Sequence, residues 1–174
     1  MRGKKGECTI IYFIQGTKNG CTIIYEDLND GKVHTKSFTC SCLKLLKALC
    51  IQYELDFDGA RKAIAINHGY KQKIPIYIKE NGLLLYPLNS LRDKANIWIN
   101  YYAVRKISGN DEQTMISFGR YHSFSQRMIY KALSRQVTLH TKAFDYDVRI
   151  IRKQMERCRC IDDFVKQDRN EILS

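Results

Sequence analysis

Three sets of side chains in this sequence have types and spacings that could do chemistry. The first is basic. Arg127, Lys131, Arg135 and Lys142 share one face of a helix with 3.6 residues per turn, opposite an apolar face of Met128, Ile129, Ala132, Leu133, Val137 and His140. No Asp or Glu lies between Glu112 and Asp145. A helical charge stripe is ordinarily a solvated face, but one with no local counter-charge attracts polyanions, and the chemistry it suggests is phosphate binding. The second set is thiol. Cys40-x-Cys42 and Cys158-x-Cys160 offer four thiolates to zinc, yet structural zinc pairs keep at least two residues between ligands. Small buried hydrophobes with a few exposed thiols is the better reading, and no metal is expected. The third set is aromatic. Tyr101, Tyr102, Tyr121 and Tyr130 are interleaved with Arg105, Lys106, Arg120 and Lys131 and could stack single-stranded bases; such tyrosines are more often half-buried core. Four isolated histidines without HExxH spacing, and the absence of any glycine-rich phosphate loop, imply neither an enzyme nor a cofactor.

Location makes the charge informative. The net charge is +11 over 174 residues. Residues 1–60 hold 8 basic and 7 acidic side chains, residues 61–153 hold 17 and 6, and residues 154–174 hold 4 and 5, so the excess lies in the middle. An excess within a folded segment is the footprint of a phosphate-binding surface, whereas a flexible arm would concentrate it at a terminus. A hydrophobic fraction of 44% and only two prolines indicate a folded chain long enough to bury a core. No apolar run reaches 18 residues, and the basic start reads on into a strand, so neither a membrane span nor a signal peptide is expected. That reading, with seven cysteines suited to reduced thiols, implies a cytoplasmic protein.

The elements that position these residues follow from periodicity. Cys8–Ile14 and Cys21–Glu26 read as a hairpin around QGTKNG, and Asn29-Asp30-Gly31 turns the chain into the alternating VHTKSFT. Leu43, Leu46, Leu49, Cys50 and Tyr53 mark a helix on that meander. FDGARK makes a bend into a second short helix or turn. KIPIYIK and LLLYPL form a hairpin about Asn81-Gly82, and NSLRDKAN is a polar, mobile loop. IWINYYAVRKI and QTMISFG bracket a third hairpin that ends at the basic helix, whose start is marked by the capping box Ser123 and Gln126. Val148, Ile151, Met155 and Ile161 continue a helical pattern into the acidic IDDFVKQDRNEILS, which reads as an exposed or partner-binding tail. The expected fold class is α+β: antiparallel β hairpins or a meander with packed helices and a C-terminal helical segment. Residues 1–144 would form the binding domain and 145–174 a helical segment and tail for oligomerisation.

The order of FDGARK, KIPIYI, NGLLLYPLNS, ANIWI and YHSFSQRMIYKAL resembles the competence transcription factor family (ComK), over about residues 7 to 140. The marks are Gly59 with Arg61-Lys62, Pro75 opening a hydrophobic strand, Tyr86-Pro87 followed by Ser90, Trp98-Ile99, and Ser123-Phe124 with Ala132 downstream. Two departures are Ala60 between glycine and arginine, and Arg127 in place of glutamine. The resemblance implies a bacterial activator of DNA-uptake genes that binds AT-rich double-stranded DNA largely through the minor groove. It also implies a homodimer or higher homo-oligomer on DNA and an adaptor or protease partner. On that reading Arg127, Lys131 and Arg135, with Arg120, contact phosphate, and Arg61, Lys62, Arg105 and Lys106 insert into the groove. The alternative groove-entering element is the loop Ser90 to Asn96 with Arg92 and Lys94. A sequence-indifferent RNA- or single-strand-binding module remains the rival.

Overall fold

The computed structural model describes residues 9–78, 82–109, 114–119, 137–140 and 148–172. The chain opens as a three-stranded meander of β1 (Thr9–Thr17), β2 (Gly20–Asp27) and β3 (Lys32–Phe38). Strands run further into QGTKNG than the turn residues suggest, because only Lys18 and Asn19 separate the paired Thr17 and Gly20. Gly20 has φ +153°, and a Cβ there would fall 2.0 Å from the Phe38 carbonyl oxygen, so the backbones meet at a distance only glycine permits. Helix α1 (Cys42–Gln52) starts where the Ser41 hydroxyl accepts from Lys44 N at 3.2 Å. FDGARK is the start of a full helix, α2 (Phe57–His68), capped by Asp56, whose carboxylate accepts from Gly59 N at 2.6 Å.

Strands β4 (Ile76–Ile78), β5 (Leu83–Pro87) and β6 (Ile97–Asn100) complete an antiparallel six-stranded sheet of order β3-β2-β1-β6-β5-β4. Every residue of β5 and β6 is buried. Their side chains alternate between two cores, as a period of two requires. Leu83, Leu85 and Trp98 join Ile14, Leu46, Cys50 and Phe57 under the α1–α2 layer. Leu84, Tyr86, Ile97 and Ile99 join Tyr12, Phe13, Ile116 and Phe118 on the opposite face. A bulge between Ile11 and Phe13 lets the consecutive Tyr12 and Phe13 share that second face.

IWINYYAVRKI is two strands rather than one. Asn100 breaks it: its side-chain nitrogen donates to Ile11 O at 2.8 Å and its oxygen accepts from Tyr102 N at 3.3 Å, turning the chain through the 3-10 segment Tyr101–Ala103. The chain then enters a second antiparallel sheet, β7 (Val104–Gly109), β8 (Thr114–Phe118) and β9 (Val137–His140), in that order. The Phe118 ring packs on Tyr12 at 5.5 Å and on Phe13 at 5.3 Å, which joins the two sheets. Beneath this contact the buried Tyr12 hydroxyl donates to the buried Glu26 carboxylate at 2.7 Å.

Two further expectations need correction. The helix read from Ser123 does not carry through Val137 and His140, which belong to β9; β-branched Val137 and Thr138 pair with Phe118 and Ser117, and Leu139 with the buried Ile116. The final acidic stretch is not wholly a free tail, because α3 (Val148–Ile172) runs through it. Ile151, Gln154, Cys158 and Ile161 are buried along one side of α3, and Tyr102 Oη donates to Asp162 at 2.9 Å. Cys42 and Cys158 sit in different cores, on opposite faces of the large sheet, so the two cysteine pairs are not gathered at one point.

Cys158 is fully buried, and burial holds its thiol well above the ordinary range, whereas Cys160 is exposed. Cys158→Ser places a hydroxyl in an apolar site and is expected to cost about 1–3 kcal/mol, while Cys160→Ser changes stability by less than about 0.5 kcal/mol. Urea titration of the two variants checks the difference.

Candidate nucleic-acid interface

Strand registers decide which loops share an end of the large sheet. Gln15 pairs with Ile97, Thr17 with Gly20, Cys21 with Phe38, Pro87 with Trp98, and Ile76 with Leu85. The β1–β2 turn, the β5–β6 loop and the segment leading into β4 therefore emerge together. Among the described residues this end carries Lys18, Lys71, Lys73, Arg92 and Lys94, against the single carboxylate Asp93. The opposite end holds Asp27 and Asp30 in the β2–β3 turn, with the cation Lys32 opposite Asp27. Charge is thus segregated along the strand direction, which focuses a positive potential over one rim.

The β5–β6 loop is a wired structure, not the mobile one expected from its polar residues. Asn96, 1% exposed, is its hub. The Asn96 side chain accepts from Asn89 N at 2.8 Å and donates to the Asn89 and Ser90 carbonyls at 3.1 Å each. Asp93 accepts from the Asn89 side-chain amide and, at 2.8 Å, from Ala95 N. Gly16 N donates to Asn96 O at 2.9 Å, and a Cβ on Gly16 would meet the Lys94 carbonyl oxygen at 1.8 Å, so strand β1 supports the loop at contact distance. Arg92 and Lys94 project from this framework as exposed side chains. Their own carboxylate neighbour, Asp93, is engaged by the loop backbone and Asn89.

The remaining sequence candidates scatter. Arg61 is half-buried on α2 with its Nε buried and its guanidinium 5.5 Å from the Phe57 ring centroid, and burial lowers its pKa. Arg105, on β7, buries Nε and Nη2. Lys62 and Lys106 are exposed, on α2 and β7 respectively. Arg120, Arg127, Lys131 and Arg135, with Tyr121 and Tyr130, lie outside the described residues. Tyr101 and Tyr102 are half-buried against the core, with Tyr102 bonded to Asp162. Asp27, Asp30 and His34 bring ligand atoms within 4.8 Å of one another. These groups already serve the β2–β3 turn, where Asp27 accepts from Asn29 N and Asp30 from Lys32 N and His34.

A family model described as ComK protein matches residues 4–154. The chain belongs to the ComK family. ComK proteins are competence transcription factors, and the basic rim is therefore found on a protein of a DNA-binding family. The matched region takes in both sheets and the first turns of α3, and so reaches beyond residue 140, where the recognisable motifs end. No curated protein and no solved structure matches the chain.

Sequence reasoning named Arg92 and Lys94, which the structure places at this rim, and did not name Lys18, Lys71 and Lys73, which lie there too, or the residues that hold the loop. Asn96→Ala removes three hydrogen bonds from a buried site and is expected to destabilise the fold by about 2–3 kcal/mol. DNA affinity of the still-folded fraction should fall although no charge is removed. Chemical denaturation and a duplex titration on this one variant check both effects; unchanged stability would mean the loop is not held by this network.

Proposed function

We propose that this ComK-family chain activates DNA-uptake genes by binding AT-rich duplex sites through the minor groove, with the β5–β6 loop as the groove-entering element. One observation carries the reading: Arg92 and Lys94 are exposed on a loop pinned by Asn96, Asn89, Asp93 and Gly16, at the rim where the described cations collect. A-tracts narrow the minor groove and deepen its negative potential, which favours inserted Arg and Lys. The guanine amino group is the main chemical difference that groove offers, so a short loop with two cations suffices to tell A·T from G·C. Rigidity matters because ordering a floppy loop on binding would consume part of the interaction.

Arg61 and Arg105 suit this role less well, since groove insertion needs guanidinium atoms free to leave the protein surface. Lys18, Lys62, Lys71 and Lys106 act as phosphate contacts, which fix register without reading sequence. Arg120, Arg127, Lys131 and Arg135 keep that same role in the proposal. The protein binds as a homodimer or larger homo-oligomer, as its family resemblance implies. The half-buried Tyr101 and Tyr102 are poorly placed as a base-stacking platform, which weighs against a single-strand or RNA-binding module.

Titration of an AT-box duplex, a GC-substituted duplex and an RNA of equal length tests the proposal. The wild-type chain should prefer the AT box and show a log affinity that falls with log salt at roughly 0.9 per phosphate contacted. Arg92→Ala and Lys94→Ala should each narrow the AT-to-GC gap by up to about tenfold, on the order of 1 kcal/mol. A flat salt response, tighter binding to RNA, or equal losses on both duplexes would contradict the assignment.

A further inference from the structure

The C-terminal helix α3 is divided by charge. From Val148 to Cys160 it carries Arg149, Arg152, Lys153, Arg157 and Arg159 against Glu156; from Ile161 to Ile172 it carries Lys166 and Arg169 against Asp162, Asp163, Asp168 and Glu171. The packing orients this division. Arg157 Nη1 donates to Gln72 O at 2.7 Å, beside the segment that leads into β4 at the basic rim. Asp162, further along, takes the Tyr102 hydroxyl beyond the other end of β6. Arg157 in the basic half therefore lies beside the lead-in to β4, whereas Asp162 and Phe164 in the acidic half meet Tyr102 and His68.

At the junction Arg157 is bonded to the carbonyl of Gln72, the residue before Lys73. The Arg157 guanidinium lies over the Tyr70 ring, 5.2 Å from its centroid, and Tyr70 Oη donates to Arg157 O at 3.2 Å. That fixes the plane of the guanidinium. Lys73 stands close enough to Arg157 for the two charges to repel, and partial burial followed by this repulsion lowers the Lys73 pKa. Lys73 also holds a left-handed backbone, φ +49°, which costs a residue with a Cβ. Glu54, φ +57°, is the other such residue, but it closes α1 with its N–H on Ile51 O, an ordinary place for that conformation. Lys73 ends no helix. Lys153 precedes Arg157 by four residues, so both lie on one side of α3 about 6 Å apart along its axis, a like-charge spacing that destabilises a helix. Among the described residues neither Lys73 nor Lys153 is ion-paired with a carboxylate.

Repulsion among cations gathered at one place is offset when a polyanion lies across them. We propose that Lys73, Lys153 and Arg157 form a phosphate-contacting row that extends the basic rim along α3 and grips the DNA backbone beside the segment read by the β5–β6 loop. The inference rests on the DNA-binding function proposed above, and it assigns the first half of α3 to DNA rather than to oligomerisation. The row contacts phosphodiester oxygens and carries no sequence preference.

The test uses the full chain with Lys73→Gln and Lys153→Gln combined, and Lys73→Gly alone, on AT-box and GC-substituted duplexes over a range of salt. The double variant should lose roughly two units of salt slope at about 0.9 per contact, and one to two orders of magnitude of affinity at about 0.1 M salt, equally on both duplexes. Lys73→Gly relieves the left-handed backbone, so it should raise the thermal midpoint while losing about one unit of slope. A merely structural lysine would not couple those two changes. If both variants keep the wild-type slope while the wild-type chain binds DNA normally, the row is not a phosphate contact and the loop proposal survives. If the double variant instead narrows the AT-to-GC gap, the row reads bases and the inference is overturned. A wild-type chain without salt-dependent duplex binding removes both proposals at once.

Discussion

Burial of β5 and β6 on both faces is the constraint from which the rest of the structure follows. A strand covered on two sides must be apolar or have its polar groups bonded, and LLLYP and IWIN meet that requirement, with Tyr86 and Trp98 facing opposite cores and Asn100 bonded to Ile11 and Tyr102. Because the two strands are neighbours, the loop joining them starts and ends on backbone buried on both faces. Its own network, centred on Asn96, then needs to fix only the few residues between. A polar loop of this kind would be mobile on an edge hairpin; here the core holds both of its ends, and β1 approaches through Gly16 from the side.

The same sheet order separates the charges. In an antiparallel sheet alternate connections return to the same end, so Lys18, Lys73, Arg92 and Lys94, widely spaced in sequence, come to one rim. Among the described residues that rim is built from a turn, a loop and a strand lead-in, each supplying one or two cations. A surface assembled from separate elements can follow the curvature of a duplex over more than one groove edge, which suits the shape-led recognition proposed above.

Much of the fold was legible because its signals are local. Hairpin turns at Asn19-Gly20 and Asn81-Gly82 flank alternating or apolar runs, and the helix of Leu43, Leu46 and Cys50 repeats at 3.6 residues. The failures share a cause. Asn100 divides a continuous strand pattern by bonding Ile11, 89 residues away in sequence, and nothing near Asn100 announces that partner. Val137 to His140 is too short for period two and period 3.6 to be told apart, so pairing with β8 decided it. At the candidate site, residue type identified cations but could not say which guanidiniums are buried, and Arg61 and Arg105 looked equivalent to Arg92. Lys18 and Lys73 were within reach: once the strand order is proposed, counting alternate connections places both beside Arg92.

Groove choice is the central claim, and base chemistry offers a direct measurement of it. Inosine·cytosine presents the donor and acceptor pattern of G·C in the major groove but lacks the guanine amino group, so its minor groove matches A·T. Binding of the purified chain should be compared on an AT-box duplex, the same duplex with its A·T pairs replaced by I·C, and the G·C equivalent, at one salt concentration. The account predicts that the I·C duplex binds nearly as tightly as the AT box, while the G·C duplex is weaker by roughly tenfold or more. An I·C duplex that binds as weakly as G·C would show that the chain reads the major groove, and the β5–β6 loop would lose its assigned role.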